Sequence, residues 1–108
     1  MPYQNIVINA DESELRRVLD EVCSEQGLEY SVEYDGDLIR VFYRRRGLFF
    51  KRVQMEVARV IPLKPSPNKL QVVFWLSDLE REKSYKFYSS IRVVLNRYMG
   101  DYPSIGRR

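Results

Sequence analysis

The chain of 108 residues is long enough for one globular domain, and its 44% hydrophobic and 31% charged residues exclude a disordered chain. The net charge is only +3, no apolar run reaches the ~18 residues of a membrane helix, and histidine is absent. Without histidine the commonest general base and the Ser-His and Cys-His nucleophile arrangements are excluded, so we expect no enzymatic activity.

Charge is distributed unevenly along the chain. Residues 1–37 contain ten acidic and two basic residues, whereas residues 38–69 contain nine basic residues and one acidic residue. Such asymmetry is typical of a protein with an anionic partner. The alternative is that the oppositely charged parts face each other within one chain or between two copies.

A strand and a helix are predicted first. Apolar residues alternate over residues 3–10, which indicates a strand. Asp11 and Glu14 then have the spacing of a capping box, an apolar stripe follows at helical spacing, and Gly27 supplies a left-handed stop. Cys23 falls in this stripe, which predicts a buried thiol of low reactivity.

The dipeptide Asp35-Gly36 between two β-rich segments predicts a hairpin with a two-residue loop. On the outward face, Glu29 and Glu33 lie diagonal to Arg40, an arrangement that favours ordinary cross-strand ion pairs over a catalytic acid pair. The predicted register assigns these residues to the core face: Leu28, Tyr30, Val32, Tyr34, Ile39, Val41 and Tyr43.

The segment YRRRGLFFKR predicts a basic turn at residues 44–47, followed by a long strand over residues 48–61. A strand of this length usually bends or carries a bulge. Phe49 is then expected to align with the core and Phe50 with the opposite face. The proline-rich residues 62–68 are interpreted as a connection to a last strand over residues 69–77.

A final helix is predicted from Ser77, with Glu80 in capping-box spacing, to Gly100. Its core-facing stripe comprises Phe87, Tyr88, Ile91, Val94, Leu95 and Tyr98. Residues 1–100 are thus interpreted as a single α+β domain, and residues 101–108 as a loose tail.

The element order is β-α-β-β-β-β-α, which predicts a two-layer α+β fold in which an antiparallel meander sheet packs on two helices. This order resembles the helix-grip or TBP-like topology, in which a curved sheet wraps a long C-terminal helix. The resemblance implies a fold and assigns no functional residue, because the same scaffold carries unrelated activities.

Three functions are compatible with the sequence. The first is a protein-interaction or assembly module, self-association included, whose contact residues on the outer sheet face are Phe50, Val73 and Trp75. The alternative is binding of an anionic polymer such as nucleic acid by a basic hairpin. Its candidate residues are Arg40, Arg44, Arg45, Arg46, Lys51 and Arg52, and the patch could extend to Arg59, Lys64 and Lys69.

The third function is binding of a small apolar ligand between sheet and helix, for which a packed core is the favoured alternative interpretation. The rings that would line such a pocket are Tyr30, Tyr34, Tyr43, Phe74, Tyr88 and Tyr98. We expect no cofactor or metal, because Asp35 and Asp37 are explained by the turn and one cysteine cannot build a zinc site. The single cysteine and the lack of a secretory signal suggest a cytoplasmic protein.

Overall fold

The computed structural model describes residues 3–99, without the side chains of Phe50 and Pro65, so the predicted helix end at Gly100 and the tail at 101–108 lie outside the described residues. The predicted α+β class and element order are confirmed. The elements are β1 (Tyr3–Ile8), α1 (Glu12–Gln26), β2 (Glu29–Glu33), β3 (Leu38–Arg46), β4 (Arg52–Ser66), β5 (Lys69–Leu76) and α2 (Arg81–Leu95).

The five strands form one antiparallel sheet in the order β1-β5-β4-β3-β2. Both helices pack against one face of this sheet and against each other. The core between the layers is continuous and combines apolar side chains of both helices and all five strands. Its fully buried members include Ile8, Leu19, Val41, Val60, Phe74, Phe87 and Ile91.

The first helix forms as predicted. The Asp11 carboxylate accepts a hydrogen bond from the Glu14 N–H, the Glu14 side chain accepts one from the Asp11 N–H, and Gly27 ends the helix at φ 68°. Cys23 is buried beneath the sheet, and burial raises the pKa of its thiol to about 12. A thiol with this pKa is protonated at neutral pH and therefore a poor nucleophile.

The first hairpin has the predicted register, with Val32 opposite Ile39 and Glu29 opposite Phe42. Asp35 and Gly36 form the turn with positive φ, and the Asp37 N–H donates to the Tyr34 carbonyl. The core-face prediction is wrong for Val32, which is 41% exposed, and for Tyr34. The φ of 53° takes Tyr34 out of the ladder, and its side chain is 70% exposed instead of facing the core.

The long strand predicted after the arginines exists, but it is β4 at residues 52–66, about five residues further along the chain. The expected bulge is present, because the pairing shifts by one residue between Val41 and Phe42. The extra residue on β4 is Val57. Both Val57 and Ala58 are fully buried in the core, so the bulge keeps the core continuous across the change of register.

The interpretation of residues 62–68 as a connection is wrong, because β4 continues through Pro62 to Ser66. Ser66 already pairs with Lys69, which leaves only two residues for the turn. Proline lacks the N–H that a central strand needs. Proline is tolerated at position 62 because β3 begins at Leu38 and does not reach this part of β4. The described part of β4 there pairs with β5 alone, so one side of the strand needs no N–H donor.

The second helix begins at Arg81, four residues later than predicted. The Ser77 N–H still donates to the Val57 carbonyl at 3.0 Å, so the chain leaves the sheet at Ser77 instead of turning into a helix. The Ser77 hydroxyl accepts a hydrogen bond from the Glu80 N–H within the intervening turn. The predicted core stripe is confirmed: Phe87, Ile91 and Leu95 are fully buried.

Candidate functional site

The sheet face opposite the helices, here called the outer face, carries a row of side chains that crosses all five strands. The register places Tyr3 beside Trp75, Trp75 beside Arg59, Arg59 beside Arg40 and Arg40 beside Ser31. Within residues 3–99 neither helix covers this face. The outer face therefore presents aromatic groups at the β1 edge and guanidinium groups at its centre.

The two arginines at the centre are neutralised by carboxylates. Arg59 makes a bidentate pair with Glu56, with N···O distances of 2.8 and 3.0 Å, and these hydrogen bonds raise the pKa of Arg59 above its usual value. Arg40 donates to Glu33 at 3.1 Å and to Glu56 at 3.3 Å. The predicted cross-strand pairing of Arg40 and Glu33 is thus confirmed, and this group, the Arg–Glu cluster, carries no net charge.

An aromatic ring is buried on the outer face without any helix above it. Phe42 is only 4% exposed, yet it lies outside the core cluster. Its strand neighbours on this face are Glu29 and Glu56, and the Arg44 guanidinium lies 5.6 Å from the ring centroid. The buried ring therefore lies at the point where the sheet becomes a two-stranded hairpin, with the Arg44 guanidinium over it.

Beyond Phe42, the hairpin of β3 and β4 extends past the helices. We call residues 44–54 the basic arm. All of its described side chains are exposed, and Gly47 is half-buried. The arm contains five basic residues, and no acidic residue occurs between Phe42 and Met55. The arm is therefore the most strongly charged surface that the register assembles.

The prediction that the three arginines form the turn is wrong, since Arg44, Arg45 and Arg46 lie within β3 opposite Gln54, Val53 and Arg52. The turn occupies residues 47–51 instead. The Gly47 N–H donates to the Lys51 carbonyl at 2.6 Å, and the Lys51 N–H donates to the Leu48 carbonyl. Backbone pairing therefore extends the strands up to Gly47. A side chain at this position would collide with β4, because its Cβ would lie 2.5 Å from a methyl carbon of Val53.

The arm carries its cations on both faces. Arg44, Arg46 and Arg52 lie on the outer face, whereas Arg45 lies on the face that continues from the core. Within residues 3–99, Arg45, Lys51 and Arg52 form no ion pair. Arg44 approaches Glu29 at 3.7 Å in an exposed pair. Most of the positive charge of the arm is thus available to an external anion.

The base of the arm is fixed to the second helix through Tyr43. The Tyr43 hydroxyl donates to a Glu80 carboxylate oxygen at 2.8 Å, and this hydrogen bond raises the pKa of Tyr43. The Lys83 ammonium lies 4.7 Å from the centroid of the Tyr43 ring. These contacts hold the arm in one direction relative to the body of the protein.

The tip of the arm is apolar. Leu48 is 83% exposed and Phe49 is 86% exposed, so the expectation that Phe49 faces the core is wrong. Phe49 has φ 59° and ψ 29°, a left-handed conformation that bulky residues rarely adopt. The Phe50 side chain, a predicted contact residue, lies outside the described residues. The basic arm therefore ends in an exposed ring held by a closed turn.

The other two predicted contact residues, Val73 and Trp75, lie on the outer face as expected and are half-buried. The Arg59 guanidinium covers the Trp75 ring at 4.7 Å from the centroid. Neighbouring positions make this part of the face apolar. The apolar patch consists of Tyr3, Val7, Ile61, Leu63, Val73 and Trp75, of which Tyr3 and Leu63 are exposed.

The six rings considered for a ligand pocket are divided between the surface, the base of the arm and the packed core, against which Tyr30 and Tyr98 also pack. Tyr34 is at the surface of the first turn, and Tyr43 faces Glu80 at the base of the arm. Phe74 and Tyr88 pack on each other edge to face, with centroids 5.3 Å apart.

Among residues 3–99 no cluster of three or more cysteine or carboxylate side chains could hold a metal ion.

Two features of the site could not be seen in the sequence. The Arg–Glu cluster needs residues from three strands, and Glu56 and Arg59 share a face only because the bulge inserts Val57 between them. The attachment of Tyr43 to Glu80 joins residues 37 positions apart. The remaining predicted cations lie elsewhere: Lys64 pairs with Glu12, and Lys69 lies at the start of β5.

Neither helix within residues 3–99 has the length and apolar character needed to cross a membrane. Compared with known proteins, the chain matches no protein-family model. A search of curated proteins found no significant match either.

Proposed function

We propose that this protein is a non-enzymatic module that binds nucleic acid through the basic arm. One observation carries the proposal: five basic residues and no acidic residue project on a two-stranded hairpin with both faces exposed. A phosphate polymer gains affinity from such a surface because each neutralised phosphate releases counterions. Arginine also suits phosphate because its planar guanidinium donates two parallel hydrogen bonds.

The ion pairs that the arginines form with carboxylates favour the arm over the centre of the sheet as the anion-binding surface. Arg40 and Arg59 are occupied by Glu33 and Glu56, so an anion at the Arg–Glu cluster would have to displace a carboxylate. In the arm, Arg45, Lys51 and Arg52 form no ion pair within residues 3–99, and the Arg44–Glu29 pair is exposed and therefore weak. Binding is therefore expected to be concentrated at residues 44–54.

Two further observations support a binding module over an enzyme. The chain has no histidine, and the outer-face carboxylates Glu33 and Glu56 each accept hydrogen bonds from arginine. Both carboxylates are held in place by these hydrogen bonds to guanidinium groups, an arrangement that fits a structural role better than proton transfer to a substrate. The buried single thiol Cys23 suits a reducing compartment, and we place the proposed activity in the cytoplasm.

A salt titration tests the proposed function. Fluorescence anisotropy with a dye-labelled 20-base-pair duplex is expected to show binding at low salt that weakens as salt rises. If all five cations of the arm contact phosphate, the plot of log affinity against log salt should have a slope of about −4.5. Absence of binding in about 20 mM salt with the protein at about 100 µM would contradict the proposal.

A second candidate function is self-association through the outer face. The observation that favours it is the apolar patch, because a sheet face without a helix leaves Tyr3 and Leu63 in water beside four half-buried apolar residues. Contiguous apolar surface of this kind commonly marks a protein contact. The partner in this proposal is a second copy of the chain, which would bury the two patches against each other.

Light scattering across protein concentrations tests this second candidate. We expect the mass to rise from monomer to dimer between about 10 and 500 µM, a range that suits a weak and partly polar interface. Leu63→Glu should shift the association to higher concentration at least tenfold, because the dimer would bury an unpaired carboxylate. Val93→Glu, an exposed apolar position on α2, is the matched control. A strict monomer throughout the range would exclude self-association.

A further inference from the structure

We infer that the nucleic acid is duplex DNA and that the Leu48–Phe49 tip acts as a wedge that enters between base pairs and bends the duplex. This inference rests on the proposed function, because it assigns a target and a mode of contact to the same arm. Four features of the described residues lead to it: the shape of the arm, the placement of its cations, the lack of free rings along it and the geometry of its tip.

The arm is a two-stranded antiparallel ribbon, a shape that a groove of DNA accommodates. Two paired strands lie about 4.8 Å apart, and proteins that bind DNA with β-ribbons place such strands in the major or the minor groove. The cations of the arm point to both sides, with Arg44, Arg46 and Arg52 on one face and Arg45 on the other. A ribbon with cations on both faces can contact the phosphate rows on both walls of a groove.

A single strand would find few stacking surfaces beside these cations. Proteins that bind single strands usually stack successive bases on exposed rings next to a basic groove. Here Phe42 is buried beneath Arg44, and Tyr43 is held by Glu80 with Lys83 over its ring. Trp75 is covered by Arg59. Among the described rings of β3 and the arm, Phe49 alone is largely exposed, and it lies at the tip.

The tip has the properties of a wedge. Leu48 and Phe49 are more than four-fifths exposed, and the turn that presents them is closed by backbone hydrogen bonds between Gly47 and Lys51 and between Lys51 and Leu48. Phenylalanine and leucine are among the side chains that insert between base steps and kink a duplex by 20–90°. Phe49 has φ 59°, a conformation for which a turn normally uses asparagine or glycine. A role for the ring at the tip explains why phenylalanine is found there instead.

An anionic membrane surface is the competing target, since it also attracts cations that surround an apolar tip. The placement of the cations favours DNA. The arginines occupy three successive positions of β3 and alternate between the two faces, so they extend along the arm instead of encircling its tip. Two rows of phosphate beside a ribbon match this distribution better than one plane of headgroups does.

The experiment measures bending and affinity together. A 30-base-pair duplex with a donor dye and an acceptor dye at its two ends reports bending as a rise in energy transfer. We expect wild-type protein to raise the transfer and to bind this duplex at least tenfold more tightly than a single strand of the same length. Phe49→Asn should abolish the rise in energy transfer and weaken duplex binding five- to twentyfold, with an unchanged salt slope.

Asparagine is the informative replacement because it tolerates a left-handed conformation. The melting temperature of Phe49→Asn should therefore equal or exceed that of wild type, which separates loss of the wedge from loss of fold. Tyr85→Asn, which alters an exposed ring on α2, is the matched control and should bend the duplex like wild type.

Each other outcome contradicts a defined part of the inference. Equal bending by Phe49→Asn and wild type would overturn the wedge. Tighter binding to the single strand, or to duplex RNA, would contradict the assignment of duplex DNA as the target. The proposed function, binding of nucleic acid by the basic arm, would remain. Binding to phosphatidylserine vesicles with no binding to any nucleic acid would overturn both.

Discussion

Replacing Arg44, Arg45 and Arg46 together with glutamine is expected to lower the affinity for duplex DNA by one to two orders of magnitude near 0.1 M salt. The three arginines occupy successive positions of β3, on alternating faces, and all are exposed. Each phosphate contact contributes about 0.9 to the salt slope, so the slope should fall by about 2.7 in magnitude. Anisotropy with the same 20-base-pair duplex measures both quantities.

The matched control removes the same net charge from the helical face. Arg17, Lys86 and Arg97 are exposed and lie on or next to the helices, away from the arm. Their triple replacement by glutamine should change the affinity less than threefold, because exposed charges more than a Debye length of about 10 Å from the ligand are screened. An equal loss in both triple variants would show that net charge, and not the arm, determines binding.

The arginine triple variant should remain folded. Exposed ion pairs such as Arg44–Glu29 contribute little, so the free energy of unfolding should change by less than about 1 kcal/mol. Thermal unfolding followed by circular dichroism provides this check. A large loss of stability would assign the three arginines a structural role in the hairpin.

Phe87→Ala is expected to have the largest effect on stability. The ring is fully buried between α2 and the sheet, and removal of a buried phenylalanine side chain costs about 3–5 kcal/mol through lost burial and the cavity left behind. A domain of this size is stable by only about 5–15 kcal/mol, so the variant should be close to unfolding at 37 °C. Urea denaturation measures the loss.

Val93→Ala is the control for this prediction. It removes an apolar side chain from the same helix at an exposed position, and the expected change in unfolding free energy is within about 0.5 kcal/mol. Similar costs for the two variants would mean that α2 does not pack with its Phe87–Leu95 stripe on the sheet. The two-layer arrangement would then be wrong.

Local signals predicted several elements correctly. The capping box at Asp11, the stop at Gly27 and the Asp35-Gly36 turn act within a few residues, and each forms as expected. The predicted register of residues 29–33 with residues 38–42 is also confirmed, although Val32 and Tyr34 are exposed. The core stripe of α2 is confirmed, because a period near 3.6 defines the buried side of a helix.

Local signals failed where strand pairing determined the outcome. Charge and Gly47 suggested a turn at the arginines, but the residues there pair with residues 52–54 and extend β3. Pro62 suggested a loop, yet it lies in β4, beyond the point where β3 begins, and pairs with Val72 of β5. Ser77 suggested a helix start, but its N–H still binds the Val57 carbonyl. In each case pairing with a neighbouring strand decided the conformation.

The sequence by itself determined the α+β class, the element order, the buried stripes of the two helices and the concentration of positive charge in residues 38–69, because these follow from periodicity and composition. The tertiary structure alone decided that this charge forms an exposed two-stranded arm and that Arg40 and Arg59 are neutralised on the outer face. It also decided that Phe49 stands at the tip. The physical reason is that the register between strands, including the one-residue bulge at Val57, determines which side chains become neighbours, and this register is set by packing across the whole sheet.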